Sequence, residues 1–460
     1  MATYPMNPVD AAWYHMDGPA NLAIVTGLLQ TQKALNFDKV KEVYRERLAG
    51  FVRFRQRVVE VGFPLATPHW EDMPHFDIDQ HMHHIALPAP HNPMALRMLV
   101  SDIASTPLDH AQPLWQVFVV DDVEGGSALV MRCHHCVADG TAMMTISQKL
   151  FDTTPRGKHP SNSTAIPVAA APLSTMARAS RGALELADTV FDAATHPLRT
   201  LEKAAVLASG AGMLVGELLK PDDPQSPLKG EFALRKFVAW TQPVAIKDVK
   251  TIGAPHGAKV NDVLVAAMTG ALRHYLLLRG VKVNHTTLRA MVPVDLRPAS
   301  HLGQLGNEFG LVILELAVNQ AHATQRLETT KTRMDALKHS PQATATLALF
   351  DLLGRVPKGL EEFANDLFGS KASLVITNVV GPQDVLYLAG VPIDSMLGWA
   401  PHPGRQLGMA ISIMSYKGMA TLTVIADARL IPDPEVITEQ FNIEFESMLK
   451  ARVTQSSQSR

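Results

Sequence analysis

Cysteine is almost missing from this chain: Cys133 and Cys136 are the only two in 460 residues. Two cysteines this close together cannot build a disulfide framework, and so low a count favours a reducing compartment such as the cytoplasm. A signal peptide is not expected either, since residues 1–10 have neither a basic start nor an apolar stretch. Long hydrophobic runs are also lacking. The longest uncharged stretch, 160–177, is interrupted by Pro167 and Pro172, and the greasier 204–216 falls short of the roughly 20 residues a spanning helix needs. No transmembrane helix is expected. Neither charge sign dominates, with 42 basic against 44 acidic residues and a net charge of −2, so nothing draws the protein to nucleic acid or to an anionic membrane in bulk. There is no Gly-x-Ser-x-Gly elbow for a serine nucleophile and no phosphate-cradling loop.

What is present is a large apolar interior. At 460 residues with 47% apolar content the chain exceeds the usual size of one core, which implies two lobes. Residues 8–60 open with a polar loop, then read as a strand at 22–30 and an amphipathic helix at 37–48. Apolar runs at 115–120 and 128–133, joined by Glu124-Gly125-Gly126, read as a hairpin, and helical spacing resumes at 140–151. Residues 152–176 are rich in Pro, Ser, Thr and Ala without periodicity; 177–220 return to a helical pattern, which the proline-rich 221–227 stops. The expected division is therefore 1–151, a crossover at 152–227, and 228–460. The last part alternates strands (235–241, 287–294, 309–317, 373–377, 407–415, 419–427) with helices (261–279, 321–338), giving an α/β class with mixed sheets and no internal repeat.

The chemistry concentrates at His134-His135-Cys136-Val137-Ala138-Asp139-Gly140. Successive side chains on a strand face opposite ways, so only one of the two histidines can enter a given cavity. Counting by twos, His135 shares a face with Cys133, Met131 and Leu129, and His134 with Arg132 and Val130; alternation alone does not choose between them. A neutral imidazole can take a hydroxyl proton and return it to a leaving thiolate, the cycle that acyl transfer from a thioester to an alcohol requires. Asp139, four residues past His135 where strand turns to helix, can orient the base or pair with an arginine that holds the turn; the second role is preferred. Zinc is disfavoured, because four consecutive residues on an extended chain diverge and cannot converge on one ion.

The motif and its surroundings resemble the bacterial wax ester synthase/diacylglycerol acyltransferase family, within the chloramphenicol-acetyltransferase-like superfamily that includes condensation domains. Upstream landmarks are Phe54-Arg55-Gln56-Arg57, Trp70, Phe76-Asp77, His81, Ser105-Thr106-Pro107-Leu108-Asp109 and Pro113-Leu114-Trp115. Downstream, Ser226-Pro227-Leu228-Lys229-Gly230, Asn261-Asp262-Val263, Val292-Pro293-Val294-Asp295-Leu296-Arg297, Gly306-Asn307 and Thr377-Asn378-Val379-Val380-Gly381-Pro382 continue the likeness nearly to the end. Two departures stand out: Asn21 occupies a place where members often carry histidine, and Val380 replaces a common proline.

The resemblance implies two chloramphenicol-acetyltransferase-like lobes with a tunnel between them, acyl-CoA entering from one side and the alcohol from the other. It makes His135 the general base, accompanied in the motif by His134 and Gly140, with Asp139 structural. Arg297 is a candidate partner for Asp139, and Asp262, Gly306 and Asn307 are taken as structural. Asn261 precedes an apolar helix and suits an N-cap or a substrate contact; Asn378 can donate toward the reacting oxygen or hold a turn; Trp115 packs under the active strand or walls the acyl tunnel. The implied reaction moves a long-chain acyl group from acyl-CoA, a substrate and not a cofactor, to a fatty alcohol or a diacylglycerol. The alternatives are transfer to a non-lipid alcohol or from a carrier-bound acyl group, and a non-catalytic lipid-binding relative. Such lipids place the protein at a membrane or droplet surface without spanning it; the segment 203–220 is a candidate contact, with burial between lobes the preferred reading.

Overall fold

The computed structural model describes residues 3–60, 67–157, 221–298, 305–338, 340, 342–353, 369–401 and 406–458. Most of the crossover, including 203–220, lies outside them. Among the described residues, no helix is long and apolar enough to cross a membrane.

Two sheets organise the chain. The first has five strands in the order Ser395–Trp399, Ile24–Thr31, Gly126–His134, Trp115–Val123, Met82–Ala86. Only its outer pair, Met82–Ala86 with Trp115–Val123, is parallel. The expected hairpin forms as its sequence requires: Glu124 (φ 50°) and Gly125 (φ 83°) are both left-handed, the two-residue turn whose twist suits antiparallel strands. Gly126 beyond it has no room for a side chain, since a Cβ there would lie 1.8 Å from the Thr31 carbonyl oxygen.

The second sheet runs Phe309–Leu316, Leu288–Asp295, Leu374–Val380, Met409–Tyr416, Met419–Asp427, Lys236–Trp240, with the short Val244–Ala245 also on Met419–Asp427. Its central contacts, Leu288–Asp295 with Leu374–Val380 and Leu374–Val380 with Met409–Tyr416, are parallel. The helices Val260–Leu278 and Pro434–Gln458 cover it and share its core. Val260–Leu278 is buried nearly all round, from Asp262 to Leu272 without interruption.

One strand crosses the division expected from sequence. Ser395–Trp399 follows the second sheet's Leu374–Val380 in the chain, yet it pairs with Ile24–Thr31 in register from Ser395 opposite Gln30 to Trp399 opposite Thr26. The stretch 228–460 is thus not one self-contained lobe, because it supplies an edge strand to the first. A buried ion pair ties the far end of the second sheet: Lys236 Nζ lies 2.8 Å from Asp427 Oδ2, both side chains almost wholly shielded from water. Replacing Lys236 by Met should destabilise the protein by about 3–5 kcal/mol in urea unfolding, because the carboxylate stays buried without its cation; a loss under 1 kcal/mol would show that Asp427 is satisfied by its backbone donors alone.

Candidate active site

The strand Gly126–His134 ends at the motif, and its two histidines diverge. His134 is fully buried on one side, its Nδ1 accepting from the Cys136 N–H at 3.2 Å, which leaves the proton on Nε2, 3.8 Å from Asp17 Oδ1. His135 turns the other way. Its backbone N–H donates to the Ala23 carbonyl at 2.7 Å, and its ring stacks on Trp13 with centroids 4.0 Å apart. Burial pushes both imidazoles down to about 4, so both rings are neutral near pH 7. Nδ1 of His135 has no hydrogen-bond partner among the described residues.

Two cavities meet at His135. One is a cleft walled by Trp13, Asp139, Thr141, Asp295, Phe309 and Asn378. The other is apolar, and five methionines are part of its lining: Met131, Met143, Met144, Met396 and Met414. His135, Gly140, Thr377, Val379 and Ala400 belong to both. Leu129 and Met131, on the His135 face of the strand, line the apolar cavity. Tyr44 also reaches it, from a turn that widens to i→i+5 bonding at Tyr44–Leu48 where sequence suggested plain α-helix through 48.

Asp139 does not touch the His135 ring. It caps the helix Gly140–Leu150, its Oδ1 accepting from the Ala142 N–H at 2.9 Å, while Oδ2 accepts from Arg297 Nη2 at 2.6 Å and the Glu308 N–H at 3.2 Å. Burial raises its carboxyl; the Arg297 guanidinium and the two backbone donors oppose that rise. Arg297 also donates to the Gly306 carbonyl at 2.8 Å, and Gly306 forms an isolated bridge with Ala138. Asn307 donates through Nδ2 to the His135 carbonyl at 2.8 Å and to Asp10 Oδ1 at 2.8 Å. The second lobe therefore grips the motif at Ala138, Asp139 and the His135 backbone.

Several expectations need correction. His134 lines neither of these two cavities and is packed in the interior, away from the face that His135 presents to them. Trp115 takes the first of its two expected places: it is 1% exposed, donates from Nε1 to the Phe54 carbonyl at 2.9 Å and stacks on His81, packed beneath the strand and lining neither of these two cavities. Asn261 is not the N-cap: that position is Lys259, whose N–H donates to Asp262 Oδ2 at 2.8 Å, which makes Asp262 the structural half of a capping box. Asn261 instead accepts a hydrogen bond from Asn378 Nδ2 through its Oδ1, and of the two only Asn378 lines the cleft.

Asp10 and Trp13 were missed altogether. They lie on the helix Pro8–His15, in a stretch that reads as polar loop because the helix is buried on every side from Val9 to Tyr14 and so shows no amphipathic stripe. A signal was available: Asn7 caps the helix through Oδ1 to the Val9 N–H, and Pro8 follows it, the standard start of a helix.

Two lobes of mixed sheet thus meet over a histidine at the end of a strand, an α/β fold whose class the family matches identify as an acyltransferase. The description of the wax ester synthase/diacylglycerol acyltransferase catalytic domain matches residues 6–264 and that of the family's C-terminal domain residues 305–449, so the chain belongs to that family. A probable diacylglycerol O-acyltransferase of Mycobacterium tuberculosis is 29% identical over 90% of this chain and 87% of its own length. A second, putative one from the same organism is 25% identical over 97% and 90%. Among solved structures, a wax ester synthase/diacylglycerol acyltransferase from Marinobacter aquaeolei superposes with a TM-score of 0.68 at 21% identity, covering 98% of this chain and 99% of that one. A condensation domain of the calcium-dependent antibiotic synthetase gives 0.63 at 17%, covering 98% and 97%. Both structures share the fold.

Burial raises Asp10 to about 6, against an ordinary value near 4, with Asn307 and Arg53 pulling the other way. A carboxyl raised in the folded state contributes stability below about pH 4 and loses it as pH rises through about 6, a swing on the order of 3 kcal/mol. His134 and His135, depressed, act oppositely: their contribution is present above about 6.5 and lost as pH falls through about 4. The difference between Asp10→Asn and the parent isolates the first effect. In urea unfolding the variant should gain relative stability from pH 4.5 to 7.5; a difference that does not change with pH would refute the assignment.

Proposed function

We propose that this acyltransferase moves a long-chain acyl group from acyl-CoA to a fatty alcohol, a diacylglycerol, or both, giving wax ester or triacylglycerol, with His135 as general base. The observation that carries this is one neutral, buried imidazole standing where a cleft that carries Asp139, Thr141, Asp295 and Asn378 meets a methionine-lined hydrocarbon cavity. The names of the Mycobacterium tuberculosis relatives favour diacylglycerol, and the family description includes both alcohols. CoA takes part as substrate, with no separate cofactor.

His135 Nε2 takes the proton of the alcohol hydroxyl as its oxygen attacks the thioester carbonyl. The tetrahedral oxyanion collapses, the C–S bond breaks, and the imidazolium returns the proton to the departing CoA thiolate. A base of this kind contributes about 10² to 10⁴ in rate, with positioning and oxyanion stabilisation supplying the rest. Asn378, which lines the cleft and donates one amide N–H to Asn261, is our candidate donor to the oxyanion. Asp139 and Arg297 act by holding the turn. Substrates this apolar collect in lipid, so we place the work at a membrane or droplet surface facing the cytoplasm, reached by peripheral contact.

The test is to incubate the purified protein with palmitoyl-CoA and, in parallel, hexadecanol, a diacylglycerol and a short alcohol, following free CoA and lipid product. Turnover with neither hexadecanol nor diacylglycerol would sink the proposal. His135→Ala should lower turnover by about 10² or more. Because burial pushes the His135 imidazole down to about 4, kcat/KM at pH 5.5 should stay close to its neutral value; an acid limb near 6.5, the ordinary imidazole value, would mean that His135 is not depressed in the free enzyme.

A further inference from the structure

Glycine in the interior of a strand weakens it, so each such glycine needs a reason. Two of the strand glycines have one of close approach: a Cβ at Gly310 would lie 1.8 Å from the Ala343 carbonyl oxygen, and at Gly126 1.8 Å from that of Thr31. Gly27 and Gly398 do not. Neither has a positive φ, and a Cβ at either meets nothing nearer than 3.8 Å, the Leu397 carbonyl oxygen for Gly27 and Met414 Sδ for Gly398. Backbone conformation and packing would tolerate a side chain at both positions. They are also directly opposite one another across the seam where Ser395–Trp399 joins Ile24–Thr31, and Met131 is opposite Gly27 on its other side. All three line the apolar cavity.

We propose that the Gly27–Gly398 pair is a groove for the middle or far end of an unbranched hydrocarbon tail, and that it sets the longest tail accepted. This rests on the acyltransferase reading above. His135 is bonded to Ala23, and Gly27 lies four residues further along that strand, about 13 Å away at about 3.3 Å per residue. One leaflet of a bilayer's hydrocarbon core, the reach of a long acyl chain, is about 15 Å. A long tail starting at the reaction centre therefore crosses the glycine pair, and a four-carbon tail ends well before it. The next row outward, Leu29 opposite Met396, restores bulky side chains on the same face.

The same chemistry belongs to the acyl group and to the alcohol, and the experiment separates them. Gly398→Val and Gly27→Val, with the alanine variants beside them, are assayed with palmitoyl-CoA and butanoyl-CoA against one alcohol, then with hexadecanol and butanol against one acyl-CoA. Valine suits a strand, so folding should survive, and short-substrate turnover checks it. In one arm the long-chain kcat/KM should fall about tenfold or more while the short-chain value moves less than about twofold; the arm that moves names the tail. Binding of cis-parinaric acid, a fluorescent long-chain fatty acid, is measured in the same proteins and should weaken about tenfold in the valine variants, which tests the groove even where turnover fails. Equal losses at both lengths in every variant, or unchanged profiles with unchanged probe binding, would overturn the groove while leaving the reaction itself standing.

Discussion

Where Arg297 of the second lobe meets Asp139 of the first, a charge from each side leaves water together. The Arg297 side chain is 1% exposed and that of Asp139 7%. Such a pair adds little net stability over an apolar substitute, but separating its members is costly, so it enforces a geometry more than it strengthens the fold. Here the geometry enforced is that of the histidine turn. Asp139 starts the helix after the motif, Gly306 lies against Ala138, and Asn307 holds the carbonyl of His135 itself. Moving the second lobe would thus move His135.

The same burial decides the electrostatic character of the centre. His135, His134 and Asp10 are all taken from water, and each is displaced toward its neutral form. A neutral His135 imidazole at the mouth of a methionine-lined cavity costs little to cover with hydrocarbon, whereas a charged one would have to be resolvated or paired. Methionine suits this role because its unbranched, polarisable side chain follows the shape of a flexible guest.

The strands and helices that carry strong periodicity were legible in the sequence, and so was the motif. The face of His135 was half legible: parity grouped it with Met131 and Leu129, but nothing in the pattern said which group met a cavity. Three features were hidden for physical reasons. The helix Pro8–His15 is buried all round and so lacks the stripe that reveals a helix. The strand Ser395–Trp399 is short, and its partner is more than 360 residues away in sequence, which no local pattern encodes. The roles of Trp115 and Asn261 depended on contacts with residues far away in sequence: Trp115 bonds the Phe54 carbonyl, and Asn261 accepts from Asn378 while Lys259 takes the N-cap.

That exchanged strand also constrains traffic. Withdrawing Ser395–Trp399 would bare the backbone edge of Ile24–Thr31 and break a register that runs five residues, from Ser395 to Trp399. It would also open the floor of the apolar cavity, since Gly398 and Met396 belong to that strand. Parting the lobes is therefore an expensive way to admit a substrate, and the ends of the two cavities are the cheaper one.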